Sequence, residues 1–283
     1  MLNKSEFSLL MKIVNKHKWL LDKADALADL IFESCASWDE RALIETLLDR
    51  FMVVSPDQFI EHVNELVLEV MTIPHIDPKE TIVAAMAADS SPDSSQFLVQ
   101  QLKVKFQENG WGDVRIVNTF GTAFRESKRS GFSRKNVILV DEFVGSGVTA
   151  SGRAEEIKRQ FAEVNQNVQI FVRSVFASVV GEDFLKRSAV DFVATYKVKR
   201  GISDFEPEPD RTAKVDMMLE LESRLSDTAG SHKLSECSLG YGKTESLFAI
   251  MNQNLPNSVF PIFWWPTTQL GLNRQPLFTR WLG

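Results

Sequence analysis

The sequence predicts an α/β protein, a mainly parallel sheet preceded by an all-helical segment. Three observations predict it. Residues 1–75 place apolar side chains at three- and four-residue steps and contain no glycine. From Thr81 onward, short apolar runs alternate with helix-length amphipathic stretches. One of those runs, Val137-Ile138-Leu139-Val140, leads through two acids and a small-residue turn into a helix.

The chain has 283 residues, 44% hydrophobic and 25% charged, enough for a real core in one large domain or two small ones. With 32 Lys/Arg against 38 Asp/Glu its net charge is −6. No global basic field exists to hold a duplex, so direct contact with nucleic acid is not expected. Cys35 and Cys237 show no Cys-x-x-Cys spacing, which excludes a disulfide framework and a Cys-rich zinc site and leaves two small core residues. Glu6 stands where a signal peptide needs an apolar run, and no apolar stretch approaches the ~18 residues of a membrane span. A cytoplasmic protein with no membrane part is expected.

The first helical stripe is Leu9, Leu10, Ile13 and Val14, continued by Leu20, Leu21, Ala24, Leu27, Ala28 and Ile31. A second helix starts after Ser37, burying Leu43, Ile44, Leu47, Leu48 and Phe51. A third opens with Ser55 at the N-cap and Pro56 at the first helical position and runs to about Val70. Residues 1–80 carry 8 Lys/Arg against 15 Asp/Glu, an acidic stretch without a catalytic cluster. The division expected is a helical module over 1–75 and an α/β domain over 76–283. In the second part, strands are predicted at 81–88, 114–117, 137–140, 168–180, 191–198 and 259–265. Helices are predicted at about 95–108, 150–164, 211–226 and 245–252, with a mobile loop over 228–238.

Chemistry concentrates in residues 137–149. Asp141 and Glu142 sit at the carboxyl end of a strand, where open parallel sheets bind ligands. Gly145 and Gly147 allow close backbone approach, and the unpaired amides of the helix start suit a phosphate. Ser146 and Thr149 add hydroxyl groups. The two acids repel phosphate and suit ribose hydroxyls, with Mg²⁺ bridging nearby, so the segment reads a sugar phosphate.

These thirteen positions resemble the phosphoribosyl pyrophosphate (PRPP) signature of type I phosphoribosyltransferases: four apolar residues, two acids, two loop residues, then G-[ST]-G-x-T. Glu142 stands where many members carry a second Asp. The resemblance implies the type I phosphoribosyltransferase fold, PRPP as substrate or ligand, and Mg²⁺. It assigns Asp141 and Glu142 to the ribose hydroxyls and, through water, to the metal. Val144, Gly145, Ser146, Gly147, Val148 and Thr149 would wrap the 5′-phosphate. The family's pyrophosphate loop falls after the first strand, at Asp89, Ser90 and Ser91; Asp89 and Asp93 depart from the basic residue many members use there. A Ser/Pro/Asp loop that only caps the next helix is the other reading of that stretch.

The family's mobile loop corresponds to residues 120–136, where 125–136 hold five basic residues against one acid. Arg125, Lys128 and Arg129 would there assist a leaving diphosphate. Residues 260–266 pack four aromatics, read either as a base-stacking face or as an edge strand. Gly240-Tyr241-Gly242-Lys243-Thr244 is not a P-loop, because Cys237 stands where its first Gly belongs. Lys243 remains a phosphate contact by reach alone. Arg200-Gly201-Ile202-Ser203-Asp204, residues 239–249 and 257–265 are together similar to phosphoribosyltransferase-like domains of bacterial conflict systems, including retron-type anti-phage operons. That likeness implies an effector whose residues 1–75 meet operon proteins, such as a reverse transcriptase complex, and it leaves homo-oligomerisation open.

The leading reading is an enzyme that transfers or cleaves a ribosyl group at an N-glycosidic centre. The second is a catalytically silent sensor of a phosphoribosyl ligand, or a partner-binding subunit. A nicotinamide or flavin enzyme ranks third, since Asp141 and Glu142 precede the glycines and would repel a pyrophosphate.

Overall fold

The computed structural model describes residues 3–89 and 94–282. In chain order the elements are α1 (Lys4–Lys16), α2 (Ala24–Ala28), which widens into a π-helical turn over Asp29–Ser34, α3 (Trp38–Arg50), β1 (Met52–Val54) and α4 (Pro56–Met71). Next come β2 (Thr81–Ala85), α5 (Ser94–Glu108), β3 (Arg115–Val117), α6 (Phe120–Arg129), β4 (Asn136–Val144), α7 (Val148–Ala162), β5 (Gln169–Ser178), α8 (Val179–Arg187) and β6 (Asp191–Val198). The last part holds α9 (Asp210–Ser223), β7 (Thr228–Ala229), β8 (His232–Lys233), α10 (Leu234–Cys237) and β9 (Phe248–Ile250). Among the described residues no helix is long and apolar enough to cross a membrane.

Two compact units emerge, residues 55–197 and residues 1–54 with 198–283. The boundary therefore falls at residue 54, not at 75, and packing explains it. The buried faces of α1, α2 and α3 join Ile202, Met218, Leu221, Val259, Phe263 and Trp265 in one hydrophobic cluster. Helix α4 instead belongs with the sheet, where its Glu69 pairs with the buried Arg173 of β5 at 2.9 Å.

Residues 55–197 form a five-stranded sheet of order β3-β2-β4-β5-β6. The pairs β2–β3, β2–β4 and β4–β5 are parallel. Strand β2 is buried along its whole length, as its unbroken apolar run requires. Val137, Leu139, Ile170 and Val172 pack with Ala123 of α6 and Ala154, Ile157 and Phe161 of α7. Helix α4 starts as its sequence dictates, with Ser55 and Gln58 exchanging hydrogen bonds in a capping box.

In the other unit, β1 pairs in parallel with β9. The helix predicted at 245–252 is this strand. Its start is incompatible with a helix, because Glu245 has φ +46° and its carboxylate accepts from the amides of Ile202 and Ser203. The strand predicted at 259–265 is irregular chain with a 3₁₀ turn at Pro261–Phe263. Phe260, Phe263, Trp264 and Trp265 are wholly inside that unit's core, so none offers a face to a planar base. The mobile loop predicted at 228–238 is the β7–β8 ribbon followed by α10. Both cysteines are buried, and burial pushes the Cys35 thiol up to about 12.

Candidate functional site

The sheet order reverses between β2 and β4: the chain moves outward from β2 to β3, then returns to the other side of β2. In an open parallel sheet such a reversal opens a crevice at the carboxyl ends of the two strands. Here β2 ends at Ala85, the partner of Val140, while β4 continues to Val144 along β5. Asp141 and Glu142 thus overhang the end of β2, half-buried on the rim of the crevice. The Asp141 carboxylate accepts from the Glu142 amide at 3.0 Å. The strand is longer than its four-residue apolar run predicts, because pairing with β5 carries it through the acids.

Gly145, Ser146 and Gly147 then turn the chain into α7. Gly147 adopts φ +80° at the N-cap, a conformation a branched side chain resists. A Cβ there would meet Gly181 O at 2.8 Å and Phe184 Cδ1 at 3.0 Å, both of α8. So Gly147 makes room for the neighbouring helix, a reason the sequence alone does not disclose. Ser178, the buried N-cap of α8, donates to Gly145 O at 2.6 Å and accepts from the Gly181 amide at 3.0 Å. A Cβ on Gly181 would fall on Gly145 O, inside van der Waals contact. The turn therefore rests on the start of α8. Its outer side presents Ser146, half-buried, and Val148 and Thr149, both exposed, at the first turn of α7. The first amides of a helix have no intrahelical acceptor and carry its positive dipole end, so this surface suits an anion.

On the other flank of the crevice, Ala87 N donates to Ser95 Oγ at 3.1 Å, and Gln96 Nε2 donates to the carbonyls of Asp89 and Asn118. Asp89 lies at the mouth of this loop and is exposed. Ser90, Ser91 and Asp93 lie outside the described residues.

The basic loop predicted at 120–136 is corrected: its first ten residues are the helix α6, which buries Phe120, Ala123, Glu126 and Ser127. As the crossover from β3 to β4, α6 runs from the carboxyl edge of the sheet to its amino edge. Lys128 and Arg129 occupy its last turn, at the end remote from Asp141. Arg129 and Arg115 both pair with Glu126, at 2.6 and 2.8 Å. Burial alone would raise the pKa of Glu126, but those two hydrogen bonds outweigh it and hold the carboxyl below its usual range. Arg134 donates to the carbonyls of Pro78 and Thr81, and Lys135 pairs with Glu80 at 2.9 Å, also at the amino edge. Arg125, in the second turn of α6, donates to Thr122 Oγ1 at 2.9 Å. Lys243 belongs to the other unit, where its ammonium donates to Ser238 O.

One cation escaped the sequence reading. Arg153 of α7 lies over the ring of Phe120 at 4.3 Å, at the start of α6. It follows Thr149 by four residues and so shares its face of the helix. That spacing was the available signal. Among the described residues no three His, Cys, Asp or Glu side chains cluster tightly enough to form a metal cage. Two adjacent carboxylates still fit Mg²⁺, which takes one or two protein oxygens and keeps waters and phosphate oxygens for the rest. A cavity of about 550 Å³ flanks β3, and no residue of 141–149 lines it.

Among solved structures, the chain is similar to a xanthine-guanine-hypoxanthine phosphoribosyltransferase of Helicobacter pylori at 18% identity, TM-score 0.33, over 52% of this chain and 83% of that one. A hypoxanthine-guanine phosphoribosyltransferase of Schistosoma mansoni in complex with IMP gives 14% identity and 0.33, over 52% and 65%. A hypothetical protein of Neisseria gonorrhoeae with bound ppGpp gives 10% and 0.34, over 53% and 85%. No curated protein matches the sequence. The model of the PRTase-CE family, by contrast, matches residues 36–280, nearly the whole chain and both of its units, and with the signature segment lodged at the sheet reversal this protein belongs to the PRTase-CE family.

Proposed function

We propose that the protein binds PRPP with Mg²⁺ across the carboxyl ends of β2 and β4 and transfers or cleaves its ribosyl group at an N-glycosidic centre. One observation carries this reading: two carboxylates overhang the end of β2 and run directly into a turn that presents a helix start. Asp141 and Glu142 would accept from the ribose hydroxyls. The segment from Val144 to Thr149 would enclose the 5′-phosphate, the amides supplying donors without reorganisation. Asp89, Ser90 and Ser91 would contact the pyrophosphate, with Arg125 in the second turn of α6 and Arg153 in the second turn of α7 as candidate cations. This proposal gives no role to Lys128 and Arg129, which lie in the last turn of α6. Bound Mg²⁺, held by Asp141 and Glu142 through water, would neutralise the departing diphosphate. The chain's own task is to hold ribose and phosphate in line and exclude water, which needs no strong base.

A second reading, a silent sensor, draws support from the acidic Asp89 and from Arg129 being engaged by Glu126. Calorimetric titration with PRPP and Mg²⁺, beside AMP and NAD⁺, tests binding; pyrophosphate release separates enzyme from sensor. Saturable binding that survives Asp141→Asn with Glu142→Gln would refute the site. The effector role in an anti-phage operon extends this proposal, with partners of residues 1–75 to be sought by co-purification of the full chain with operon products.

A further inference from the structure

A second concavity lies wholly within the unit formed by residues 1–54 and 198–283. It measures about 310 Å³, within the range of about 300–1,000 Å³ that small-molecule sites occupy. Its floor is apolar, formed by the buried Leu221, Leu225 and Ile262. One wall is the π-helical turn Asp29–Ser34, a geometry that recurs at functional sites. The other is the turn at Thr268–Arg274.

The charges in this cavity are only partly paired. Arg224 is accounted for: Glu40 grips it with both oxygens, at 2.6 and 2.8 Å. Arg274 is not. Its guanidinium donates to Trp265 O at 2.8 Å, Ile262 O at 3.1 Å and Ser34 Oγ at 3.1 Å, all neutral acceptors. Among the described residues no carboxylate lies within ion-pair distance of it; burial pushes its pKa down to about 10 while the charge of Asp29, acting from farther off, pushes it up, so it remains a cation at neutral pH. Asp29 and Glu33 line the same cavity, and neither forms an ion pair among the described residues. A cation drawn out of water favours a matching anion, and here the inner Arg274 faces a half-buried Asp29 and an exposed Glu33 toward the rim, a pattern that defines what would fit.

We propose that this cavity binds a basic α-amino acid, its carboxylate on Arg274, its two cationic groups toward Asp29 and Glu33, and its aliphatic stem on Leu221, Leu225 and Ile262. One anion and two cations complement the three side chains that lack an ion pair among the described residues, and the stem covers the apolar floor. A dianion such as phosphate is disfavoured by the two acids. A plain diamine leaves Arg274 unmatched.

The test is calorimetric titration of the full chain with L-arginine and L-lysine, beside agmatine and cadaverine, which keep the cationic groups and lack the carboxylate. Saturable binding of an amino acid at least tenfold tighter than its decarboxylated counterpart is expected. Arg274 also holds three backbone and hydroxyl oxygens, so its removal threatens the fold. The rim variant Asp29→Asn with Glu33→Gln leaves those contacts intact and should weaken binding at least tenfold, while Asp25→Asn, an exposed acid outside the cavity, should not. No saturable binding up to millimolar concentration, equal binding of agmatine and arginine, or unchanged affinity in the rim variant would each overturn the proposal.

Discussion

Replacing Ser178 by alanine isolates the link between α8 and the glycine turn. The hydroxyl does two things at once: it donates to Gly145 O at 2.6 Å and caps α8 by accepting from the Gly181 amide at 3.0 Å. Loss of an N-cap costs ~1 kcal/mol. A buried hydrogen bond whose partner is left behind costs another ~1–3 kcal/mol, and Ser178 is fully buried while Gly145 is half-buried. The sum is about 2–4 kcal/mol, with no atoms added that could clash. The variant should unfold at correspondingly lower urea concentration with an unchanged slope, and bind PRPP·Mg²⁺ less tightly because the turn loses its rest. Ser188→Ala, which removes a hydroxyl bond at the far end of α8, is the control. Stability within about 0.5 kcal/mol of the parent, with unaltered binding, would refute the idea that α8 holds the turn.

The remaining predictions address the site and one buried acid. Asp141→Asn with Glu142→Gln should leave the denaturation midpoint nearly unchanged and weaken PRPP binding by a few kcal/mol, at ~1.5–3 kcal/mol per charged hydrogen bond; calorimetry decides. Gly147→Val should destabilise the fold as well as abolish binding, since φ +80° and the approach to Gly181 O and Phe184 both oppose a branched side chain; a stable variant with native thermal unfolding would contradict the geometry. Glu222 is buried, and burial raises its pKa to about 7 against donors from Ser238 and Leu239 that favour the charged form. The unfolded chain then ionises this group first, so stability is fully present below about pH 4.5 and falls as pH rises to about 7, by up to about 3 kcal/mol. Glu222→Gln, followed by urea melts from pH 4.5 to 8, should flatten that slope; an identical slope would show that Glu222 does not cause it.

The parts of this fold that local physics controls were legible. A short apolar run rich in β-branched residues and bounded by turn signals reads as a strand buried on both faces, so β2 and the core of β4 declared themselves, as did α4 through Ser55 and Pro56. The place of Asp141 and Glu142 beyond the apolar run followed from the same pattern, though the strand carries on two residues past them to Val144. Misreadings arose where one local signal hid another. In α6 the density of Arg and Lys concealed the buried face Phe120–Ala123–Ser127, and a helix passed for a loop. At 245–252 the helical spacing was real, but Glu245 is spent on the amides of Ile202 and Ser203, some forty residues earlier, and no window of sequence contains that contact. For the same reason the service of Ser178 and Gly181 to the glycine turn was invisible, while Arg153 went unnoticed as one more cation on an amphipathic helix.

The division of the chain at residues 54 and 198 has a consequence for biosynthesis. The sheet unit is continuous, so it can fold as soon as residue 197 clears the ribosome. The other unit cannot: Met52 pairs with Phe248, and α1 and α3 share a core with residues as late as Phe278. Residues 1–54 must wait through the synthesis of the entire sheet before their apolar stripes find cover, a delay of roughly ten seconds or more at about 5–20 residues per second. During that interval the newborn helices of α1 and α3 are the exposed, chaperone-accessible part of the molecule. Limited proteolysis of stalled nascent chains released after residue 197 should cut within 1–54 and spare 55–197.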